Sequence, residues 1–213
     1  MTVRVLFVES DAPSFLMHRR ATAEGVRRRG CEVHLAAPDA PERSAIEKLG
    51  FTFHDVPFSR GSTSPLGELR TLRSLYALYG DLEPDLVHHV ALKAVLYGTL
   101  AARLARVPAI INGVTGLGYL FTEGSARAGV LRSTFVTLAR PVLAGANAYT
   151  TFENRDDLAA FERLGLVKQG RGVHVPGTGV DTRVFQPSPE PAGVPVVTLA
   201  SRMLWEKGIG VFV

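Results

Sequence analysis

Two cations near the end of the chain follow a run of residues that is typical of a buried strand. The run, at residues 194–199, is rich in valine, and Arg202, Lys207 and Gly208 come soon after it. Ligands bind at the carboxyl ends of strands in open α/β sheets, and an arginine fork with a lysine point charge suits a diphosphate. We therefore expect Arg202 and Lys207 to bind a diphosphate; a solvated basic turn is the alternative.

A glycine-rich loop at residues 112–122 is the second candidate binding element. Its glycines, among them Gly116, let the backbone approach a ligand closely or adopt positive φ, and Thr115 adds a hydroxyl group. We expect this loop to line a cleft, although a flexible turn between a strand and a helix would show the same composition.

Histidines are the third group of candidates. His88 and His89 end a predicted strand, and only one of them can face a cleft because neighbouring strand residues point to opposite sides. A neutral imidazole there could bind a sugar hydroxyl, or it could be structural. On the first predicted helix, His18 together with Arg19 could meet a phosphate of an acceptor.

Asn154 and Arg155 open another predicted helix. The N–H groups at a helix N-terminus suit an anion or a sugar hydroxyl, so both residues are candidates for a cleft. Capping of the helix by Asn154 is the alternative interpretation.

Strands and helices alternate along the chain. The patterns predict strands at residues 3–8, 32–36, 52–56, 86–90, 109–112, 148–152 and 173–175, and helices at 14–29, 42–49, 66–82, 94–105, 127–143 and 154–164. Ser14 is the predicted N-cap of the first helix. The alternation predicts an α/β fold: a Rossmann-like parallel sheet with helices on both faces. Right-handed crossovers then bring the carboxyl ends of all strands to one rim.

A proline-rich segment divides the chain. Residues 186–193 contain three prolines and are predicted to be a linker between a first domain at 1–185 and the segment 194–213. A Rossmann-like domain needs roughly 100 residues or more. We therefore expect 194–213 to be only the first strand and loop of a second domain.

Composition excludes several classes of protein. The 213 residues carry a net charge of +4, 46% are hydrophobic, and Cys31 is the single cysteine, so an internal disulfide is excluded. Neither a signal peptide nor a bilayer-spanning stretch is visible, and we expect a cytoplasmic protein that could be peripheral on the inner face of the membrane. Arginine clusters favour an anionic lipid surface or simply solvated helix faces, and no nucleic-acid motif accompanies them. No D-x-D or other metal-binding motif is present, so neither a metal nor a cofactor is expected.

The order of these motifs resembles the family 4 retaining glycosyltransferases. The sequence R-x4-K-G at 202–208 follows a predicted strand, and GTGVD with Phe185 resembles the family motif G-x-G-V-D-x-x-x-F. The resemblance implies two Rossmann-like domains that face a cleft, with Arg202, Lys207 and Gly179 on the side of a nucleotide-sugar donor. An acidic motif that holds the donor sugar in the family does not lie within these residues.

Three further segments resemble one bacterial branch of this family, whose members build surface polysaccharides on lipid carriers. They are VHHVALKAVLYGTLAAR at 87–103, VTGLGYLF at 114–121 and TTFENRDDLAAF at 150–161. The resemblance implies transfer of a sugar, with retention, from a nucleotide-sugar to a lipid-linked or polysaccharide acceptor. The predicted acceptor-side residues are His18, His88, Lys93, Thr115, Gly116, Asn154 and Arg155. The chain departs from the family pattern at Ala94, which replaces a proline, and at Asn112, where some relatives have a histidine.

Two other functions remain open from the sequence. A sugar-nucleotide epimerase of similar fold would share the architecture, and it would convert the donor in the absence of an acceptor. A non-catalytic domain that binds sugars or lipid head groups is the second alternative. By itself this chain is expected to fold without transferring sugar.

Overall fold

The structure is a computed structural model that describes residues 2–58, 64–116, 126–144, 147–201, 203 and 205–213. In these ranges the chain forms a seven-stranded parallel sheet with the order β3-β2-β1-β4-β5-β6-β7. The strands are β1 (Arg4–Val8), β2 (Glu32–Ala37), β3 (Thr52–Asp55), β4 (Leu86–Val90), β5 (Ala109–Val114), β6 (Ala148–Phe152) and β7 (Gly172–His174). The helices are α1 (Ala12–His18), α2 (Arg20–Arg28), α3 (Arg43–Lys48), α4 (Pro65–Leu82), α5 (Leu92–Leu104), α6 (Ala126–Leu143), α7 (Arg155–Arg163) and α8 (Ile209–Phe212), with a 3-10 turn at Trp205–Lys207 before α8.

Apolar clusters cover the sheet on both faces. Successive residues of β1 divide between two clusters: Leu6 and Val8 pack with side chains of α4 and α5, while Val5 and Phe7 pack with those of α1, α2 and α3. This division follows from the two-residue period of a strand. A third cluster joins β6 to α5, α6 and α7. The predicted α/β class, with a parallel sheet between two helical layers, is confirmed.

The first helical segment differs from its prediction. One helix was expected over 14–29 with Ser14 as its N-cap, whereas α1 begins at Ala12 and is capped by Asp11, whose carboxylate accepts from the Ser14 N–H at 2.9 Å. Pro13 in the first turn has no N–H to satisfy, which favours this earlier start. A break at Arg19, with φ −120° and ψ −12°, then separates α1 from α2.

The chain divides into two units, at residues 1–179 and 180–213. The strand predicted at 194–199 is wrong for the structure, in which those residues form no ladder and Val194, Val196 and Val197 are at least 80% exposed. A strand needs a neighbouring strand for its backbone hydrogen bonds. The described residues of the second unit contain no strand that could pair with 194–199. Within the described ranges, no helix has both the length and the apolar character that a bilayer span requires.

Candidate functional site

A cavity of about 380 Å³ opens at the rim where the carboxyl ends of the strands meet. Its walls come from the end of β4, from helix α1 and from the segments that follow β1, β4, β5, β6 and β7. The lining residues are Glu9, Ser10, Ser14, His18, Arg19, Val90, Ala91, Thr115, Glu153, Gly177 and Thr178. Because β1 lies between β2 and β4, the strand order changes direction beside this cavity, and such switch points are where open α/β sheets bind ligands.

Three charged side chains form an ion cluster in the cavity wall. The Arg19 Nε lies 4.0 Å from Glu9 Oε1, and the Arg19 Nη2 lies 3.5 Å from Glu153 Oε1. The side chains of Glu9 and Arg19 are only 3% and 12% exposed, while that of Glu153 is 36% exposed. A buried charge is costly unless it is paired, and the arginine lies between the two carboxylates, where it offsets part of that cost.

The break between α1 and α2 positions Arg19 over this cluster. The Arg19 N–H donates to the Phe15 carbonyl and its own carbonyl accepts from Ala23, so the residue ends one helix and begins the next. Phe15 is fully buried and its ring lies 5.8 Å from that of Phe7 in β1, edge to face. Packing of α1 on β1 therefore places Arg19 near Glu9, which follows β1 directly.

Ala91 forms part of the cavity wall in a strained backbone conformation. It has φ 71° and ψ 152°, a region that is almost restricted to glycine, and its N–H donates to the Gly113 carbonyl at 3.1 Å. Such conformations cost about 1–3 kcal/mol and persist where the surrounding structure enforces them. Here the enforcement comes from the pairing of β4 with β5.

His89 lies beneath the rim in a buried hydrogen-bond network. Its Nδ1 is 2.9 Å from Asn112 Oδ1 and its Nε2 is 3.0 Å from the Tyr79 hydroxyl, while Thr99 donates to the same Asn112 oxygen at 2.9 Å. Burial lowers the pKa of His89 to about 4, so the ring is neutral and accepts at Nε2 from Tyr79. This histidine therefore joins β4, β5, α4 and α5 and is structural.

His88 faces the other side of the sheet, as the alternation of strand residues requires. Its ring lies 5.2 Å from that of Phe7, and burial, with the charge of Arg19 as the next cause, lowers the pKa of His88 to about 3. A Cβ at Gly113 would lie 3.4 Å from its Nε2. The side chain is thus neutral and packs below the cavity without lining it.

The predicted acceptor-side residues are dispersed in the structure. His18 and Thr115 line the cavity. Lys93 instead binds Glu68 of α4 at 2.6 Å, and Gly116 adopts φ 143° outside the lining.

Asn154 caps the N-terminus of α7, which is the alternative that the sequence left open. Its side-chain oxygen accepts from the Asp157 N–H at 2.8 Å, and Arg155 is an exposed residue of the first turn. Neither residue lines the cavity.

The predicted donor-side residues belong to different units of the chain. Gly179 is exposed, has φ 68° and ends the first unit, whereas Lys207 belongs to the 3-10 turn of the second unit. Arg202 lies outside the described residues, as do residues 117–121 of the glycine-rich motif.

Sequence reasoning predicted a rim at the carboxyl ends of the strands but missed the two carboxylates that line the cavity, Glu9 and Glu153. Each follows directly after a strand, and that position is the signal by which they could have been found. Across the described ranges, no group of three or more His, Cys, Asp or Glu side chains is arranged to hold a metal ion.

Comparison with known proteins identifies related sequences. A family model described as "Glycosyl transferase 4-like" matches residues 4–141. The chain is 24% identical to the N,N'-diacetylbacillosaminyl-diphospho-undecaprenol alpha-1,3-N-acetylgalactosaminyltransferase of Campylobacter jejuni, over 99% of this chain and 59% of the relative. It is 34% identical to a UDP-N-acetylglucosamine--N-acetylmuramyl-(pentapeptide) pyrophosphoryl-undecaprenol N-acetylglucosamine transferase of Acidovorax, over 46% of this chain and 27% of that protein. The chain thus spans less than two thirds of the length of each of these relatives.

Solved structures share the fold at low identity. The Anabaena HepE structure in complex with UDP and glucose matches with a TM-score of 0.61 and 18% identity, over 88% of this chain and 47% of that one. A UDP-N-acetylglucosamine 2-epimerase from Rickettsia bellii matches with a TM-score of 0.55 and 8% identity, over 82% and 44%. At this level of identity both matches show the fold alone.

Proposed function

Since this chain belongs to the glycosyl transferase 4-like family, we propose that its protein transfers a sugar from a nucleotide-sugar donor to a sugar linked through a diphosphate to a polyprenol lipid. The anomeric configuration of the donor is retained in this proposal. Two relatives from different bacteria have names that specify sugars on diphospho- or pyrophosphoryl-undecaprenol, which supports a lipid-linked acceptor over a free polysaccharide. The described chain supplies the acceptor side of the cleft.

The cavity at the switch point of the sheet is the observation that carries this proposal. Its wall combines two carboxylates, an arginine and several hydroxyl groups, and convergent polar groups of this kind orient a sugar. In the proposal His18 and Thr115 contact the acceptor directly. None of His88, Lys93, Gly116, Asn154 and Arg155 lines the cavity, and we propose that they act on the acceptor only indirectly.

The donor side is proposed to rest on Arg202, Lys207 and Gly179, without a metal ion. Two cations can offset the charge of the leaving diphosphate directly. In the complete protein, Lys207→Ala should weaken donor binding about tenfold to a hundredfold, the loss expected for one charge-assisted contact. Transfer should continue in the presence of a chelator of divalent cations. A chelator that abolishes transfer would contradict the metal-free part of the proposal.

A membrane-surface location is proposed because the acceptor is anchored in lipid. Four exposed arginines on α2 and just after it support this location, namely Arg20, Arg27, Arg28 and Arg29. Each basic residue near an anionic surface contributes about 1 kcal/mol to binding. Flotation with liposomes should show binding to anionic vesicles that decreases as salt increases. Equal binding to neutral vesicles would exclude this electrostatic attachment.

A transfer assay with the complete protein tests the central proposal. Radiolabelled UDP-sugars are incubated with undecaprenyl-diphosphate-linked N-acetylhexosamines, and lipid-extractable label is measured. We expect label in the lipid fraction with at least one donor and acceptor pair. Conversion of the donor without acceptor would instead identify an epimerase. Sugar binding without turnover would favour the non-catalytic alternative.

A further inference from the structure

We propose that Arg19, Glu9 and Glu153 form a subsite for an uncharged group of the acceptor sugar that both donates and accepts hydrogen bonds, and that this subsite rejects the diphosphate. The inference rests on the proposed function and specifies it further, because it says which part of a sugar diphosphate enters the cavity. Hydroxyl and acetamido groups have the required hydrogen-bonding character.

The charge of the cluster disfavours a phosphate in this part of the cavity. Two carboxylates face one guanidinium in this wall, with the Glu9 side chain almost completely buried and that of Glu153 partly open to solvent. Oxygens of a diphosphate are acceptors only, and placing them beside buried carboxylates brings like charges together. A phosphate that accepts from the arginine would lie beside both carboxylates, so their repulsion opposes this attraction.

The hydrogen bonding of Arg19 favours a ligand group that can both donate and accept hydrogen bonds. Its Nε is buried and has no hydrogen-bond partner among the described residues, and the nearest oxygen of Glu9 is 4.0 Å away. A hydroxyl or acetamido oxygen can accept from the guanidinium of Arg19, whose side chain is 12% exposed, while the same group donates to a carboxylate. One sugar substituent would then bridge the arginine and an acid, which neither a phosphate nor an ammonium group can do.

The subsite is held rigidly by its supports. Phe15 anchors α1 against β1, Asp11 caps that helix, and the break at Arg19 turns the chain where the guanidinium meets both acids. The segment after β1, the break between α1 and α2, and the loop after β6 each contribute one charged side chain. Such pre-arranged groups discriminate between ligands because a mismatched ligand leaves a buried charge without compensation.

Binding measurements on the 213-residue chain test the subsite. The two probes are an N-acetylglucosamine 1-diphosphate esterified with a short prenyl chain and the same prenyl diphosphate without sugar. Each is titrated by ligand-observed NMR into the wild-type chain and into Glu9→Gln, Glu153→Gln and Arg19→Gln variants. Glu24→Gln is the matched control, because Glu24 lies on α2 among exposed arginines and outside the cavity. Glu153→Gln covers the case in which the buried Glu9→Gln variant does not fold.

We expect the wild-type chain to bind the sugar-bearing probe more tightly than the sugarless probe. Each cavity variant should reduce this ratio of affinities about tenfold or more, because it loses one hydrogen bond to a charged group. The Glu24→Gln control should keep the preference of the wild type. The sugarless probe should bind the carboxylate variants as well as or better than the wild type, since repulsion is removed.

Two results would overturn the inference. The first is an unchanged preference in all three cavity variants, which leaves the proposed function standing if the wild type still binds the sugar-bearing probe. The second is a sugarless probe whose binding is abolished by Arg19→Gln, which would assign the arginine to the diphosphate. A wild-type chain that binds neither prenyl probe would contradict the proposed function together with the inference.

Discussion

His89 shows how a single buried residue restricts its neighbours. The imidazole fills the space over Gly98 of α5, where a Cβ would lie only 2.8 Å from the ring Cγ and closer still to the ring Cδ2. The ring cannot move aside without losing its hydrogen bonds to Tyr79 and Asn112. The absence of a side chain at position 98 is therefore a requirement of the network beneath the rim.

Gly98→Ala should consequently destabilise the protein. We expect a loss of about 1–3 kcal/mol in the free energy of unfolding, which is typical of overpacking. Gly80→Ala is the matched control, because Gly80 also lies in a helix and a Cβ at that position would have no neighbouring atom within 4 Å. Alanine at position 80 should therefore leave the free energy of unfolding unchanged or raise it by up to about 1 kcal/mol. Urea unfolding of both variants provides the measurement. Equal stabilities of the two variants would contradict the packing argument.

The neutral histidines of β4 predict a loss of stability in acid. Burial lowers the pKa of His88 to about 3 and that of His89 to about 4, whereas an unfolded histidine titrates near 6.5. The unfolded chain therefore binds more protons below pH 6.5, and the stability that is fully present above that pH is lost as the pH falls towards 4. For His89 the loss by pH 4 is on the order of 3 kcal/mol.

Unfolding by urea between pH 7 and pH 4 measures this dependence. His88→Asn removes one titrating group without adding volume, so its stability should fall less steeply between pH 6.5 and pH 4 than that of the wild type. Identical slopes for the variant and the wild type would show that His88 is not neutral in the folded state.

At the scale of elements, α7 illustrates why a helix start can be mistaken for a ligand site. Asn154 accepts from the Asp157 N–H and so satisfies one of the free donors of the first turn. The acidic residues Asp156 and Asp157 also complement the helix dipole there. The N-terminus is therefore satisfied by the chain itself, and the cavity is lined instead by Glu153, one residue earlier.

Removal of this cap should weaken the protein modestly. Asn154→Ala is expected to cost about 0.5–2 kcal/mol, whereas Asn154→Ser, which retains a side-chain acceptor, should cost much less. Thermal unfolding followed by circular dichroism compares the two variants. If the serine variant were as unstable as the alanine variant, the capping role of Asn154 would be wrong.

At the scale of the whole molecule, the two units differ in whether they possess a core. Residues 1–179 contain the sheet and the three apolar clusters. In the unit at 180–213, no described residue is buried, and large apolar side chains such as Trp205 and Val211 are exposed. The cooperative stability of the chain is therefore expected to reside in the first unit.

Ending the chain after Gly179 tests this expectation. The free energy of unfolding should change by less than about 0.5 kcal/mol, the range of changes made away from a core. Chemical unfolding of the shortened and the 213-residue chains provides the measurement. It is followed by circular dichroism of the backbone, because the shortened chain lacks Trp205 and cannot be followed by tryptophan fluorescence. A clearly lower stability of the shortened chain would show that the second unit contributes to the fold.

The sequence by itself determined the architecture, because apolar periodicity is a local property. The positions of β4 and β6 and the alternation of elements follow from residues that must be buried on a strand or on one helix face, and seven predicted strands are present within a residue or two of their predicted bounds. From this alternation and the handedness of crossovers, the rim and its loops could be derived as well. Helix capping by Asn154 was among the alternatives that the sequence left open.

Only the tertiary structure decided which side chains meet at the rim. Glu9, Arg19 and Glu153 are far apart in the chain, and no local pattern records that the loops after β1 and β6 converge on the break between α1 and α2. The same applies to His88 and His89, which look alike in sequence but lie on opposite faces, one beside Arg19 and one bound to Tyr79 and Asn112. The strand expected at 194–199 does not form for a related reason: a strand exists only where neighbouring backbone completes its hydrogen bonds, and a run of valines cannot supply that neighbour.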